Sequence, residues 1–242
     1  MEIIEKITTN KSTDNLTEIQ KICLHKLKSY PLPNPTSELW RLSNKSKLSN
    51  FLDYPFNEKD SKFDIQYPKN SQSTIRLVIG DNCQINLVEE NYSINQLSED
   101  ELQKYIKEQI SCFDQNENWS DLLNLSLNST KNTLGFKVSG SEIPPIEIFS
   151  HASSNSLNAK TLIIFLEKNC DIDLLQVNLG KDNSSLSQST FLCLEENSSV
   201  NHGVVSYGEN RSNLLNSLNV IQQKNSSYNL GSLHYKFNYA RF

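Results

Sequence analysis

A 28-residue period in the last third of the chain restricts its fold more than any other feature. Glu167-Lys168-Asn169-Cys170-Asp171-Ile172 recurs as Glu195-Glu196-Asn197-Ser198-Ser199-Val200, and again as Gln223-Lys224-Asn225-Ser226-Ser227-Tyr228, so Asn169, Asn197 and Asn225 stand 28 apart twice over. A fixed period of this size marks a stack of equivalent coils, none of which can bury its apolar face alone.

In the frame 159–186, 187–214 and 215–242, apolar residues line up in columns. Ile164, Leu192 and Val220 precede the Asn corner. Ile172, Val200 and Tyr228 follow it, then Val177, Val205 and Leu233, then Leu179, Tyr207 and Tyr235. Gly180 and Gly208 mark a second corner, whose column Lys236 breaks, and Leu186, Leu214 and Phe242 close the coil. Column neighbours are expected one strand spacing apart, about 4.8 Å. Asn suits a corner because it tolerates a left-handed backbone, and stacked amides bond one another. Asp171 and Asp173, replaced by Ser199 and Asn201 and then Ser227 and Asn229, alternate outward while the apolar residues point in. The period is too long for a hexapeptide β-helix. The expected fold is mainly β with an N-terminal helical region: a right-handed parallel β-helix of two or three sheets.

Composition narrows the function classes. The hydrophobic share is 36%, the mean hydropathy −0.52 and the net charge −5. That balance argues against a nucleic-acid binder. Residues 1–50 carry eight Lys/Arg against five Asp/Glu, as a solvated helical face would. Cys23, Cys83, Cys112, Cys170 and Cys193 are odd in number and never at C-x-x-C spacing, which is neither a disulfide framework nor a zinc site. A reducing, cytoplasmic compartment is expected. Met1-Glu2-Ile3-Ile4-Glu5 lacks the basic start and apolar core of a signal peptide, and the longest apolar run, Leu162–Leu166, is too short to span a bilayer.

Three regions follow. Residues 1–70 form an N-terminal helical region. Leu16, Ile19, Ile22, Cys23, Lys26 and Leu27 fall at helical spacing, with Thr13 or Asp14 as the cap and Pro31, Pro33 and Pro35 as the stop. Ser37–Leu42 is a short helix or turn, and residues 50–72 are a polar connection. Residues 71–158 are a mixed α/β lead-in. Ile75–Ile79 reads as a strand, Gly80-Asp81-Asn82 as a turn, and Ile85 and Leu87 as alternating strand positions. Leu97–Ile110 reads as a helix with a Ser98/Glu101 capping box. Trp119–Leu127 is a further helix, and Gly135–Val138 and Ile146–Phe149 are strands around Pro144-Pro145. Residues 159–242 are the coils, incomplete at the C-terminus.

A search for chemistry assigns no catalytic, cofactor-binding or metal residue. Of His25, His151, His202 and His234, His202 shares a column with Leu174 and Leu230 and reads as a packing residue; His234 shares one with Asn178 and Ser206 and reads as solvent-facing. His151 follows a strand and has no partner in sequence. No G-x-S-x-G, H-E-x-x-H, P-loop or G-x-G-x-x-G occurs. A β-helix carbohydrate-active enzyme needs acids clustered on adjacent coils. Asp171 and Asp173 have no acidic column partners, and Glu167 and Glu195 are followed by Gln223. Cys170, over Ser198 and Ser226, and Cys193, between Phe165 and Ile221, read as small core residues, with iron contact the minor alternative.

Four stretches, in order, resemble the SufD branch of the SufB/SufD family of iron–sulfur cluster assembly proteins. They are Glu38-Leu39-Trp40-Arg41 after a Pro-rich turn; Leu77-Val78-Ile79-Gly80-Asp81-Asn82 with Leu97-Ser98-Glu99; Leu122-Leu123-Asn124-Leu125-Ser126 with Gly135-Phe136-Lys137-Val138 and Pro145-Ile146-Glu147-Ile148; and the coils from Ala159. The resemblance implies a non-catalytic scaffold subunit of the SUF complex, with a SufB-like protein and a SufC-like ATPase as partners. The complex handles the cluster, and no cofactor is assigned to this chain. A SufB-like cluster scaffold is the alternative within the family. The chain departs from the pattern where Gly80 precedes Asn82 and where Arg41-Leu42-Ser43 follows Trp40. It stops at Phe242, where the family continues with more coils and a helical domain, so none of the family's cluster-handling residues is carried over. The last coil is expected to be uncapped and to self-associate unless a partner covers residues 230–242.

Overall fold

A computed structural model describes residues 5–6, 16–29, 32–33, 40, 43, 45–57, 74–80, 85–114, 117–128 and 132–242. The expected cap at Thr13 or Asp14, Pro31 and Pro35, the short element at 37–42 apart from Trp40, most of the polar connection, Asp81-Asn82 of the expected turn, and Cys83 lie outside the described residues.

The helices are α1 (Glu18–Ser29), α2 (Lys45–Asn50), α3 (Glu99–Cys112) and α4 (Trp119–Leu127). Helix α1 starts at a reciprocal cap: the Thr17 N–H donates to Gln20 Oε1 at 2.9 Å and the Gln20 N–H to Thr17 Oγ1 at 3.4 Å. Helix α3 carries the expected capping box, with the Ser98 N–H on Glu101 Oε2 at 2.8 Å and the Glu101 N–H on Ser98 Oγ at 3.3 Å.

The strands are β1 (Ile75–Val78), β2 (Asn86–Val88), β3 (Tyr92–Gln96), β4 (Thr133–Gly140), β5 (Ile146–Ala152), β6 (Leu157–Leu166), β7 (Asp171–Gly180), β8 (Ser185–Leu194), β9 (Ser199–Gly208), β10 (Asn213–Gln222), β11 (Ser227–Tyr235) and β12 (Tyr239–Arg241). They make two sheets, one ordered β1-β5-β7-β9-β11 and the other β12-β10-β8-β6-β4-β3-β2. All pairs are parallel except β2–β3 and β3–β4. The register is 28 from β4 and β5 through β10 and β11, as in Leu162↔Thr190 and Val177↔Val205. Each coil is therefore a ten-residue strand in one sheet, a four-residue corner, a ten-residue strand in the other sheet and a second four-residue corner. The parallel coils begin before residue 159, because β4 and β5 already pair with β6 and β7 in that register.

The corners repeat at half the coil period. Asn155, Asn169, Asn183, Asn197, Arg211 and Asn225 are spaced by 14 and all have φ between 53° and 59°. The next residue is Ser at five of these six corners. Each such Ser Oγ, at 156, 184, 198, 212 and 226, donates to the carbonyl three residues back at 2.6 or 2.7 Å. The left-handed Asn and the Ser bond close each corner locally.

Two cores result. Between the sheets, Phe136, Val138, Ile148, Leu162, Ile164, Leu166, Ile172, Leu174, Leu192 and Val200 pack together with Cys170. On the outer face of the seven-stranded sheet, Leu157, Ala159, Ile163 and Phe191 pack against α1, α3 and α4 through Leu24, Leu27, Ile106, Trp119 and Leu122. That sheet is buried on both faces, so β6 and β8 carry almost no exposed residue.

The column Val177, Val205, Leu233 and the column Leu179, Tyr207, Tyr235 do not line the interior. Positions in β7 and β9 alternate, and these face outward. The interior holds Gln176, Asn178 and Ser206 instead, which corrects the solvent-facing reading of the column Asn178, Ser206 and His234, while Asp171 and Asp173 do point outward. His234 shares that inward column and is not simply solvent-facing.

The last corner is short. Tyr239 pairs with Asn213, 26 residues away rather than 28. Lys236, at φ 63°, diverts the chain, and the Phe237 ring turns in beside Ala152, Leu186 and Leu214. Gly180 and Gly208 make room for it; neither has positive φ. Phe242 therefore does not extend the column of Leu186 and Leu214, where Ala240 stands instead. Strand β12 is tied to the helical region: the Arg241 guanidinium lies 3.7 Å over the Trp40 ring and donates to Ser43 Oγ at 3.1 Å. Lys47 Nζ donates to the Asn238 carbonyl at 2.8 Å. The expectation of an uncapped end is thus corrected on this side of the stack, while the other side stays open.

Candidate functional site

The open side is the edge formed by the second half of β10, the corner 223–226 and β11. Strand β12 pairs only with Asn213–Leu215, so Asn216–Gln222 has no strand beyond it. Strand β11 ends its sheet. The Ser227 N–H bonds back to the Ser198 carbonyl at 2.9 Å. Backbone groups alternate sides along a strand, so Tyr228, Leu230, Ser232 and His234 turn their N–H and C=O groups to the open side. Ile221, Leu230, Leu233 and Tyr235 are all exposed there, Leu233 at 63%.

Side-chain ladders run up to this edge. Asn197 Nδ2 donates to Asn169 Oδ1 at 3.3 Å, and Asn225 Nδ2 to Asn197 Oδ1 at 3.1 Å. A second ladder links Asn201 to Asp173 at 3.0 Å and Asn229 to Asn201 at 3.1 Å. Each amide donates to the coil before it, so both ladders end in carbonyl oxygens, on Asn225 and Asn229.

The polar interior behaves the same way. One coil back a chain of hydrogen bonds runs through it. Ser150 Oγ donates to Gln188 Oε1 at 2.7 Å, Thr190 Oγ1 to Gln176 Oε1 at 3.1 Å, Gln176 Nε2 to Asn178 Oδ1 at 3.2 Å, and Asn178 Nδ2 to Ser206 Oγ at 3.1 Å. Asn216 Oδ1 and both ring nitrogens of His234 at the edge, and His202 Nε2 on β9, are buried without a hydrogen-bond partner among the described residues. Unsatisfied buried polar atoms are costly, at roughly 1–3 kcal/mol each, and three of these four lie on the open strands. His202 Nδ1 meets the Tyr228 hydroxyl at 2.8 Å, and burial lowers its pKa to about 4, so the ring is neutral.

The opposite face of the seven-stranded sheet is fixed by α4. Thr133, Thr161, Ser189 and Ser217 form a hydroxyl column at 28-residue spacing. Asn128 Nδ2 donates to Thr133 Oγ1 at 3.0 Å, and Thr161 Oγ1 donates to Asn124 Oδ1 at 2.9 Å. Ser189 Oγ donates to Asp121 Oδ1 at 2.8 Å, Ser217 Oγ donates to the same oxygen, and Asn219 Nδ2 donates to Oδ2 at 3.1 Å. Asp121 is 3% exposed, and burial raises its pKa despite these donors.

The sequence candidates scatter. Cys170 is buried in the core between the sheets; Cys193 faces α3, with its Sγ 3.1 Å from the Tyr105 hydroxyl. Burial raises the pKa of both thiols, which disfavours the thiolate that binds iron. Glu167 lies on an exposed corner and Glu195 on a half-buried one. No group of three or more His, Cys, Asp or Glu able to hold a metal occurs among the described residues, and none of their helices is long and apolar enough to cross a membrane. Sequence reasoning missed Asp121 and the unpartnered interior atoms at the edge.

Fold and edge together define the class: a two-sheet parallel β-solenoid that packs helices on one face and leaves one end partly unpaired. No family model matches the chain, and no curated protein or solved structure matches it.

Proposed function

We propose that this chain is a non-catalytic scaffold subunit that pairs its open solenoid edge with a partner solenoid, in a cytoplasmic iron–sulfur cluster assembly complex of the SUF kind. The observation that carries the docking role is the coincidence at one edge of unpaired backbone, ladder-ending carbonyls and buried unpartnered atoms on Asn216 and His234. A further coil laid on β10 and β11 brings N–H and C=O groups to the unpaired strand and donors to the Asn225 and Asn229 oxygens. The order of the four sequence blocks supports a SufB-like protein as the owner of that coil and a SufC-like ATPase as the third member.

One feature favours a different chain over a second copy: a two-fold mate sets the terminal Asn225 and Asn229 carbonyl oxygens against their own kind. Affinity purification of the chain with SufB-like and SufC-like proteins tests the reading. Wild type retains the SufB-like protein, and Ser232→Pro, which removes an N–H on the open side but no bond to β9, releases it. Retention of neither partner by wild type sinks the proposal.

A further inference from the structure

The closed side of the stack carries a second feature, apart from the docking edge. The short corner between β11 and β12 borders a cleft of about 680 Å³, a volume typical of small-molecule sites. Arg211, Lys236, Tyr207, Phe237, Asp182 and Glu209 contribute to its wall.

Its two cations sit where the backbone does not favour them. The five corners equivalent to Arg211 all use Asn, which accepts a left-handed backbone; Arg211 takes it at φ 53° and Lys236 at φ 63°. A β-carbon is crowded in this region, and strained backbone of this kind clusters at functional sites. The carboxylates are already engaged. Glu209 Oε1 is 2.7 Å from Lys181 Nζ, and Asp182 Oδ1 accepts the Asn210 N–H at 3.0 Å. Neither Arg211 nor Lys236 forms an ion pair with a described residue. Lys236 Nζ is held over two rings, 5.6 Å from the Tyr207 centroid and 5.5 Å from that of Tyr235. Counting Lys181, three cations face two carboxylates, and both carboxylates are already bonded.

We propose that this cleft binds a phosphate monoester of a flat-ring compound, with Arg211 and Lys236 on the phosphate and the Tyr207 and Phe237 rings against the organic part. Two cations match a dianion, and guanidinium gives it paired donors. The aromatic wall selects an esterified phosphate over the free ion.

Calorimetric titration of the full chain in phosphate-free buffer, with phenyl phosphate, inorganic phosphate and phenol as probes, tests this. Phenyl phosphate is expected to bind saturably and about tenfold more tightly than inorganic phosphate, with phenol silent. Arg211→Asn and Lys236→Asn each weaken phenyl phosphate about tenfold or more. Arg211→Asn restores the residue of the five equivalent corners, so its melting temperature stays at or above wild type and lost binding does not reflect lost fold. Absence of saturable binding to wild type, or binding that survives both substitutions, overturns the site. Equal affinity for phenyl and inorganic phosphate overturns the role of the rings.

Discussion

The Phe237 ring fills the space that a side chain on Gly208 needs: a β-carbon there falls 2.7 Å from Phe237 Cδ1 and 2.3 Å from Ser212 Oγ. Gly208→Ala must displace the Ser212 hydroxyl and the Phe237 ring, at a cost of roughly 1–3 kcal/mol. Gly231→Ala, with nothing within 4 Å of the added carbon, is the control and should match wild type. Urea unfolding of both variants checks the contrast, and equal stabilities dismiss the plug.

Asn197 has two duties, a left-handed backbone at φ 59° and a rung in the amide ladder. Asn197→Ala loses both, while Asn197→Gly keeps the backbone and loses only the rung. The Ala variant should be the less stable of the two by about 1 kcal/mol. Thermal melts that rank Gly below Ala contradict a backbone role for the corner Asn.

The neutral His202 makes the fold acid-sensitive. Its pKa is about 4 in the fold against an ordinary 6.5, so the unfolded chain binds the extra proton between those values. Stability is whole above pH 6.5 and falls as pH drops toward 4, by on the order of 3 kcal/mol. His202→Leu, which matches its column neighbours Leu174 and Leu230, should flatten that loss. Unfolding free energies at pH 7, 5.5 and 4.5 decide it; an unaltered slope rules out His202 as the cause.

Asp121 works in the opposite sense. Burial raises its pKa in the fold, so the folded chain holds the proton more tightly than the unfolded one, and stability falls as pH rises from the ordinary carboxyl range through the folded value. Asp121→Asn lacks this term and should gain on wild type as pH rises from 4 toward neutrality. Asp121→Ala leaves the Ser189, Ser217 and Asn219 donors facing apolar space and should lose roughly 1–3 kcal/mol. A pH-independent difference between wild type and Asp121→Asn contradicts a titrating Asp121.

The coil was legible because columns such as Ile164, Leu192 and Val220 repeat both residue type and interval. Its half-period was harder to see. Shifted by 14, Leu162 and Ile164 of one sheet fall on Gln176 and Asn178 of the other, so only the corners match at that interval, and Arg211 interrupts even those. The Thr17–Gln20 cap stands in the sequence as a T-x-x-Q signal just before α1. Phe237 was hidden because Lys236 looks like a broken column rather than a shortened corner. Asp121 gave no local signal, since an acid in a first helical turn usually faces water and balances the helix dipole. Its hydroxyl partners lie 68 and 96 residues further along the chain.

Two ten-residue strands and two four-residue corners allow the chain to change length only in quanta. One residue added within a strand turns every later side chain of that strand to the wrong face. Half a coil moves the next strand into the opposite sheet. A whole coil of 28 leaves every column, ladder and helix contact before it in register. Lengthening or shortening by that unit changes the reach of the solenoid while keeping the chemistry of its end.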